Sequence, residues 1–260
     1  MIKKIIRNFL NKNNYEIIKQ PYLGDLYPNL SNNKDEYYCE TPIGSYYLPF
    51  QIEKDPVANH LARGKEFEAD VLNIARKYIK KNTTTIDIGA NFGHMSIAFS
   101  KLVGNGDVYA VEAQSLVIGL LKKTIEANKC HNIHLIGKAA YYEDYKTLYF
   151  PEIIKQISGS FLSEENTKGE AVKTITIDSL NIKTPVSFMK VDVEGADLYA
   201  MMGAKETILK NKMPIIFEFL QHTQEDFGTT FGSYVAFINS INYKFDEVVD
   251  KSNFVVLPNE

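Results

Sequence analysis

From residue 84 onward, short apolar runs alternate with stretches of helical period. Residues 84–89 (TTIDIG) read as a buried strand closing on a glycine turn, and residues 93–103 as a helix. A second strand is expected at 107–113, a helix at 115–128 and a third strand at 132–140. Residues 174–180 (TITIDSL) read as a short β-segment and 186–195 (VSFMKVDVEG) as a fourth core strand with a glycine at its end. A helix at 203–211, a strand at 213–220, a helix at 231–241 and late strands near 243–249 and 253–257 complete the pattern. Strands separated by helices form a parallel sheet covered on both faces, and such crossovers are right-handed. The expected fold is therefore α/β: a Rossmann-like, doubly wound, mostly parallel sheet with a C-terminal antiparallel hairpin.

Upstream the period changes. In residues 65–80, Phe67, Val71, Ile74, Ala75, Tyr78 and Ile79 make one apolar helical face. Residues 36–50 place Pro42 and Gly44 between two tyrosine-rich stretches and read as a β-hairpin. Its tyrosines at 37, 38, 46 and 47 suit either a packing face or a sugar-binding wall. Near the start, Ile2, Ile5, Ile6, Phe9 and Leu10 line one face of a short helix, with Lys3, Lys4, Arg7 and Lys12 on the other. Such a helix docks on protein or lies on an anionic membrane surface, and docking is favoured because lone short helices are marginal. The division expected is an N-terminal extension over 1–64, made of this helix and the hairpin, and a Rossmann-like domain over 65–260.

Composition narrows the partners. The chain has 260 residues, 45% hydrophobic and 23% charged, enough for a sizeable core. A net charge of -3 supplies no overall positive field for nucleic acid. Cys39 and Cys130 form no metal spacing and fit a reducing, cytoplasmic compartment, with peripheral membrane contact if the first helix provides it. No run is long and apolar enough to span a bilayer.

Ligands of an open parallel sheet sit beyond the carboxyl ends of its strands. Here those ends carry Asp87, the turn from Gly89 through Ala90, Asn91 and Phe92 to Gly93, then Glu112, Asp192, Glu194 and Glu218. Five carboxylates along one edge are hard to explain as core. Gly89 and Gly93 permit a tight turn and close approach of a ligand. Their spacing is not the G-x-G-x-x-G of dinucleotide binders, and Asp87 would repel a pyrophosphate. It would attract, directly or through water, the ammonium of an amino-acid-like ligand such as S-adenosylmethionine. Glu112, 19 residues after Gly93, can accept both ribose hydroxyls. Adenine is expected near Ala139 and Ala140, with Ile136 and Tyr141 as walls.

The succession DIGANFG, YAVEA, GKAA, TIDSL, MKVDVEGAD and PIIFEF resembles the FkbM family of methyltransferases over residues 83–220. KVDVEGA with TIDSL ahead of it is the specific part. The resemblance implies an S-adenosylmethionine-dependent O-methyltransferase acting on a hydroxyl of a sugar, glycan or related small molecule. It puts Asp87, Gly89, Asn91 and Gly93 in the cofactor turn, Glu112 on the ribose, and Asp192, Glu194 and Glu218 at the active site. Two positions depart from the family pattern. Ala113 and Gln114 follow Glu112 where proline is common, and Asp197 stands where glutamate is usual.

Transfer to an alcohol needs alignment and removal of a proton. Asp192 and Glu194 share a strand face if the strand continues, so one can be the base and the other an orienter. Mg²⁺ held by Asp192, Glu194 or Glu218 is the less favoured alternative, since no stronger metal pattern is present. Glu194 can instead cap the following turn. Lys190 reads as a structural partner of these acids and His94 as a packed or solvated residue that could also face the acceptor. His222 is an alternative base. An NAD-dependent oxidoreductase and a non-catalytic cofactor-binding subunit remain competing readings.

Overall fold

The structure is a computed structural model that describes residues 30–33, 36–50, 52–151, 159, 162–165, 168–224 and 227–259. The helix expected at 2–12 lies outside the described residues. Among the described residues, no helix is long and apolar enough to cross a membrane.

The first elements form a three-stranded antiparallel sheet: β1 (Leu30–Asn33), β2 (Glu36–Thr41) and β3 (Gly44–Pro49). The expected hairpin is β2–β3, with Cys39 opposite Tyr46 and Tyr38 opposite Tyr47. Tyr37 and Tyr46 are buried on its inner face, whereas Tyr38 and Tyr47 stack on each other outside at 4.9 Å. A helix not anticipated follows, α1 (Pro56–Ala62). Its start is conventional: Pro56 opens the first turn and Asp55 Oδ1 accepts the Ala58 N–H at 3.0 Å. The next helix, α2 (Ala69–Tyr78), begins later than its apolar face suggested, because Glu68 adopts a left-handed φ of 50°.

The main sheet contains β4 (Thr84–Ile88), β5 (Val108–Glu112), β6 (Ile133–Gly137), β10 (Val186–Val191), β11 (Ile215–Glu218), β12 (Tyr243–Val249) and β13 (Asn253–Pro258). Its order is β12-β13-β11-β10-β4-β5-β6. Strands β6, β5, β4, β10 and β11 are parallel; β13 pairs antiparallel with β11 and β12. The chain runs outward from β4 to β5 and β6, then resumes on the other side at β10. The switch point therefore falls between β4 and β10, where an open α/β sheet binds its ligand.

Helices cover both faces. On one, α2, α3 (His94–Val103) and α4 (Ser115–Ala127) bury Val71, Leu72, Ile97, Phe99 and Leu121 against Val108, Ala110 and Phe188. On the other, α5 (Asp197–Met202), α6 (Lys205–Asn211) and α7 (Phe231–Ser240) bury Met201, Ile208, Tyr234 and Ile238 against Ile86, Met189 and Phe217. Two-sided burial explains why the central strands read as continuous apolar runs.

Three expectations change. Residues 132–140 are not one strand: β6 ends at Gly137, and β7 (Ala139–Ala140) joins a small separate sheet with β8 (Thr147–Tyr149) and β9 (Ala171–Ile175). Residues 174–180 leave that sheet after Ile175 and tighten into a 3₁₀ turn over Asp178–Leu180. There Asp178 accepts the backbone N–H of Glu206 at 2.9 Å and of Thr207 at 2.8 Å, capping α6 from a distance. The helix expected at 203–211 is α6, which starts two residues later at Lys205, and a further helix not anticipated, α5, precedes it and ends before Gly203. A Cβ on Gly203 would stand 1.9 Å from the Tyr141 carbonyl oxygen, so the chain must pass there as glycine.

The β2–β3 hairpin and α1 do not stand apart from the sheet domain. Tyr46, Leu48, Ile52 and Leu61 share a core with Phe92, Val117 and Leu120. Asn128 ties the hairpin down, donating to the Ser45 carbonyl at 2.6 Å and accepting the Ser45 N–H at 3.1 Å.

Candidate active site

At the end of β4 the chain turns through Gly89 at φ 80°, Asn91 at φ 49° and Gly93 at φ 89°. A Cβ on Gly89 would lie 1.8 Å from the Asp192 carbonyl oxygen, so only glycine lets the ends of β4 and β10 close together. Glu112 at the end of β5 accepts three backbone N–H groups: Asn91 at 3.0 Å, Ala113 at 2.8 Å and Gln114 at 3.0 Å. That carboxylate fixes the glycine turn and the start of α4 in one register. Oε1 takes two of these N–H groups and Oε2 one, so Oε2 keeps acceptor capacity.

Two clefts open at this edge. The first runs from Gly89 and Asn91 past Glu112 and Gln114 to Ala139, Ala140, Phe150 and Leu162. The second is walled by Pro56, Val57, Phe67 and Met95 and floored by Glu68, Asp192, Glu194 and Glu218. Gly89, Asn91, Asp192 and Glu194 line both, so the clefts meet at the switch point.

Acid dominates that junction. Lys190 is 3% exposed, and its Nζ donates to Asp192 Oδ2 at 2.7 Å. Burial alone would lower its pKa, but Asp192, Glu68 and Asp87 together hold it above the usual lysine range. Carboxylate oxygens of Asp192, Glu194 and Glu218 lie within 4.8 Å of one another. Burial, followed by repulsion from Asp192 and the neighbouring acids, pushes Glu194 up to about 8 and Glu218 up to about 9. The same causes bring Glu68 to about 7. Glu194 sits at a left-handed φ of 51°, followed by Gly195 at φ 104°. Asp197, 1% exposed, holds this loop by accepting the N–H of Val193 at 3.2 Å and of Gly195 at 3.1 Å. The shorter acid at 197 is thus a cap for the segment that presents Glu194.

Asp87 stands behind the clefts. It is fully buried and lines neither. Ser96 Oγ donates to its Oδ2 at 2.5 Å, while Oδ1 has no partner among the described residues. Burial raises Asp87 to about 6, with Lys190 and Ser96 opposing the rise.

Of the other residues singled out in the sequence, Ala90 lines only the second cleft, and Ala139 and Ala140 only the first. Gly93 lines neither; it packs toward Leu121. His222 lies exposed in a 3₁₀ turn and reaches neither cleft. Ile136 and Tyr141 do not line the first cleft, where Phe150 and Leu162 stand instead. Tyr141 is turned into a cluster with Tyr142, Tyr199 and Phe227. None of the hairpin tyrosines lines either cleft. His94 is buried in the second cleft with Nδ1 3.2 Å from the Tyr46 hydroxyl, and burial lowers its pKa to about 4. Sequence reasoning missed Glu68 and the wall from Pro56 to Phe67. The signal available was the Asp-Pro start of α1, which turns the chain back toward the sheet edge.

A family model described as the methyltransferase FkbM domain matches residues 87–245. No curated protein matches the chain. Among solved structures, the methyltransferase FkbM from Methylobacillus flagellatus KT is 15% identical over 77% of this chain and 52% of that one, with a TM-score of 0.47. This chain thus spans about half the length of that protein. A candidate methyltransferase from Streptococcus mutans in complex with SAH is 11% identical over 74% of this chain and 96% of that one, at a TM-score of 0.46. A SAM-dependent methyltransferase from Aquifex aeolicus is 15% identical over 79% and 95%, at 0.43. Likeness at this level carries no argument about chemistry, and the strand order and the acids of the site stand on their own.

Proposed function

The chain belongs to the FkbM methyltransferase family, and on that premise we propose that it moves a methyl group from S-adenosylmethionine to a hydroxyl of a sugar, glycan or related small molecule. The observation that carries this reading is the junction of the two clefts at Gly89, Asn91, Asp192 and Glu194. One cleft suits a nucleoside and the other suits a hydrogen-bond donor, and they share a wall.

The residues of the first cleft fit the cofactor. Glu112 holds a ribose hydroxyl on the acceptor site that its three backbone partners leave on Oε2. Ala139, Ala140, Phe150 and Leu162 give adenine an apolar slot. The unpartnered Oδ1 of Asp87 favours the ammonium of the methionine moiety, reached through water because Asp87 lines neither cleft. S-adenosylmethionine supplies an electrophilic methyl on a sulfonium.

In the second cleft, one carboxylate of the Asp192, Glu194 and Glu218 cluster accepts the acceptor's hydroxyl proton. The new bond joins the acceptor oxygen to the methyl carbon, the sulfur–carbon bond breaks, and its electron pair stays on sulfur. Asp192, held by Lys190, orients the hydroxyl. Burial and the neighbouring acids raise Glu194 and Glu218 well above the usual carboxylate range, which strengthens either as a proton acceptor once it is ionised.

Labelled methyl transfer onto a panel of glycans and small alcohols tests the proposal. Asp192→Asn and Glu194→Gln are expected to lower kcat by about 10²–10⁴-fold. Turnover unchanged in both would remove these acids from the chemistry. Binding of S-adenosylmethionine with no transfer to any hydroxyl would favour the non-catalytic subunit.

A further inference from the structure

We propose that the second cleft selects an acceptor with a protonated amine beside the hydroxyl to be methylated, an amino sugar or amino alcohol, gripped by Glu194 and Glu218 together with Asp192, with Glu68 on the same cleft wall. This inference rests on the methyltransferase reading above and names the substrate class of that site.

Charge balance is the first support. Glu68, Glu194 and Glu218 line the cleft, and none of them makes an ion pair or a side-chain hydrogen bond among the described residues. The one buried cation nearby, Lys190, is committed to Asp192, with Asp87 and Glu68 contributing to its field. The cofactor adds a net charge of only about +1, which the buried Asp87 and Asp192 already face. Partly desolvated acids in this state either keep a proton or take a cation in its place, and a ligand ammonium can supply that cation.

Geometry is the second. An ammonium donates along tetrahedral directions, and acceptors about 2.8 Å away then stand about 4.6 Å apart. The oxygens of Asp192, Glu194 and Glu218 lie within 4.8 Å of one another. The rim of Val57, Phe67 and Met95 suits the carbon frame of an organic cation better than a hydrated metal ion.

An independent sign of a ligand comes from the opposite wall. His94 is 7% exposed and lines the same cleft, yet its Nε2 has no hydrogen-bond partner. With Nδ1 engaged by Tyr46, Nε2 is the ring atom left unpartnered on this wall.

The arrangement also explains why oxygen is methylated. An amine held as ammonium between carboxylates has no lone pair to attack with. The neighbouring hydroxyl forms the carbon–oxygen bond instead and gives its proton to a carboxylate. Glu68 lies before the residues matched by the family model, so this acid is contributed by the chain's own first segment.

The test uses the full chain saturated with S-adenosylhomocysteine and calorimetric titration with matched pairs: the methyl glycosides of glucosamine and galactosamine, their N-acetyl counterparts, methyl glucuronide, and Mg²⁺ alone. The amines are expected to bind at least tenfold more tightly than the acetamides, with no binding of the uronate. Glu68→Gln and Glu218→Gln should shrink that preference while leaving S-adenosylhomocysteine affinity unchanged. Acetamides binding as well as amines, heat from Mg²⁺ alone, or no sugar binding at all would overturn the inference while the cofactor still bound. Failure of S-adenosylhomocysteine to bind would overturn the methyltransferase reading itself and the inference with it.

Discussion

Lys190 Nζ lies 2.7 Å from Asp192 Oδ2, two residues further along the same chain at the carboxyl end of β10. The lysine is buried, and Asp192 lines both clefts where they meet. Removing the cation leaves Asp87 and Asp192 uncompensated. Lys190→Met is expected to destabilise the fold by about 3–5 kcal/mol in urea denaturation. Adding Asp192→Asn to it should recover part of the loss, because one of the stranded charges goes with it. A Lys190→Met protein as stable as the parent would mean the pair is ornamental.

Asp197 holds the loop of Glu194 through Val193 and Gly195. Asp197→Ala frees both N–H groups and lets the left-handed Glu194 relax. The expected result is a fall in kcat of about 10- to 100-fold, in line with misplacing a reacting group. The KM for S-adenosylmethionine should change little. An equal rise in KM with kcat intact would show that Asp197 serves cofactor binding instead.

Glu112 has both a structural and a ligand-facing task, and two substitutions separate them. Glu112→Ala loses the turn's three backbone bonds and should weaken S-adenosylhomocysteine binding by more than about 100-fold. Glu112→Gln keeps one acceptor oxygen and should cost about tenfold. Equal effects of the two would mean that the side chain serves only the turn.

Stability should depend on pH in a definite direction. Burial raises Asp87 to about 6, Asp197 to about 7, Glu194 to about 8 and Glu218 to about 9. A carboxyl whose folded pKa is raised binds its proton more tightly in the native state than in the unfolded chain. Its contribution is fully present below the unfolded pKa near 4 and is lost as pH rises through the folded values. The ligand-free protein is expected to show a falling Tm between about pH 5 and 9. A Tm that climbs across this window would contradict the buried acidic cluster.

The parallel core was legible because β4, β5, β10 and β11 are buried on both faces and carry continuous apolar runs. The acids at their ends were legible for the same reason: a carboxylate after such a run has to sit at the sheet edge. Less was visible where tertiary contacts decide. The break at Gly203 reflects the Tyr141 carbonyl packed against it, and residues 178–180 form a turn because Asp178 is taken by α6. Glu68 was missed because it sits upstream of the glycine turn and reaches the cleft only through the fold of the preceding segment. His222 follows β11 in sequence, yet the 3₁₀ turn over Gln221–Thr223 leaves it exposed, away from the acids it was expected to join.

The most direct test of the central claim is calorimetric titration of the purified chain with S-adenosylhomocysteine, with NAD in parallel and Glu112→Ala as control. One-to-one binding of S-adenosylhomocysteine, lost in Glu112→Ala and absent with NAD, is the predicted result. Binding of NAD alone, or S-adenosylhomocysteine affinity unaffected by Glu112→Ala, would contradict the assignment of the first cleft.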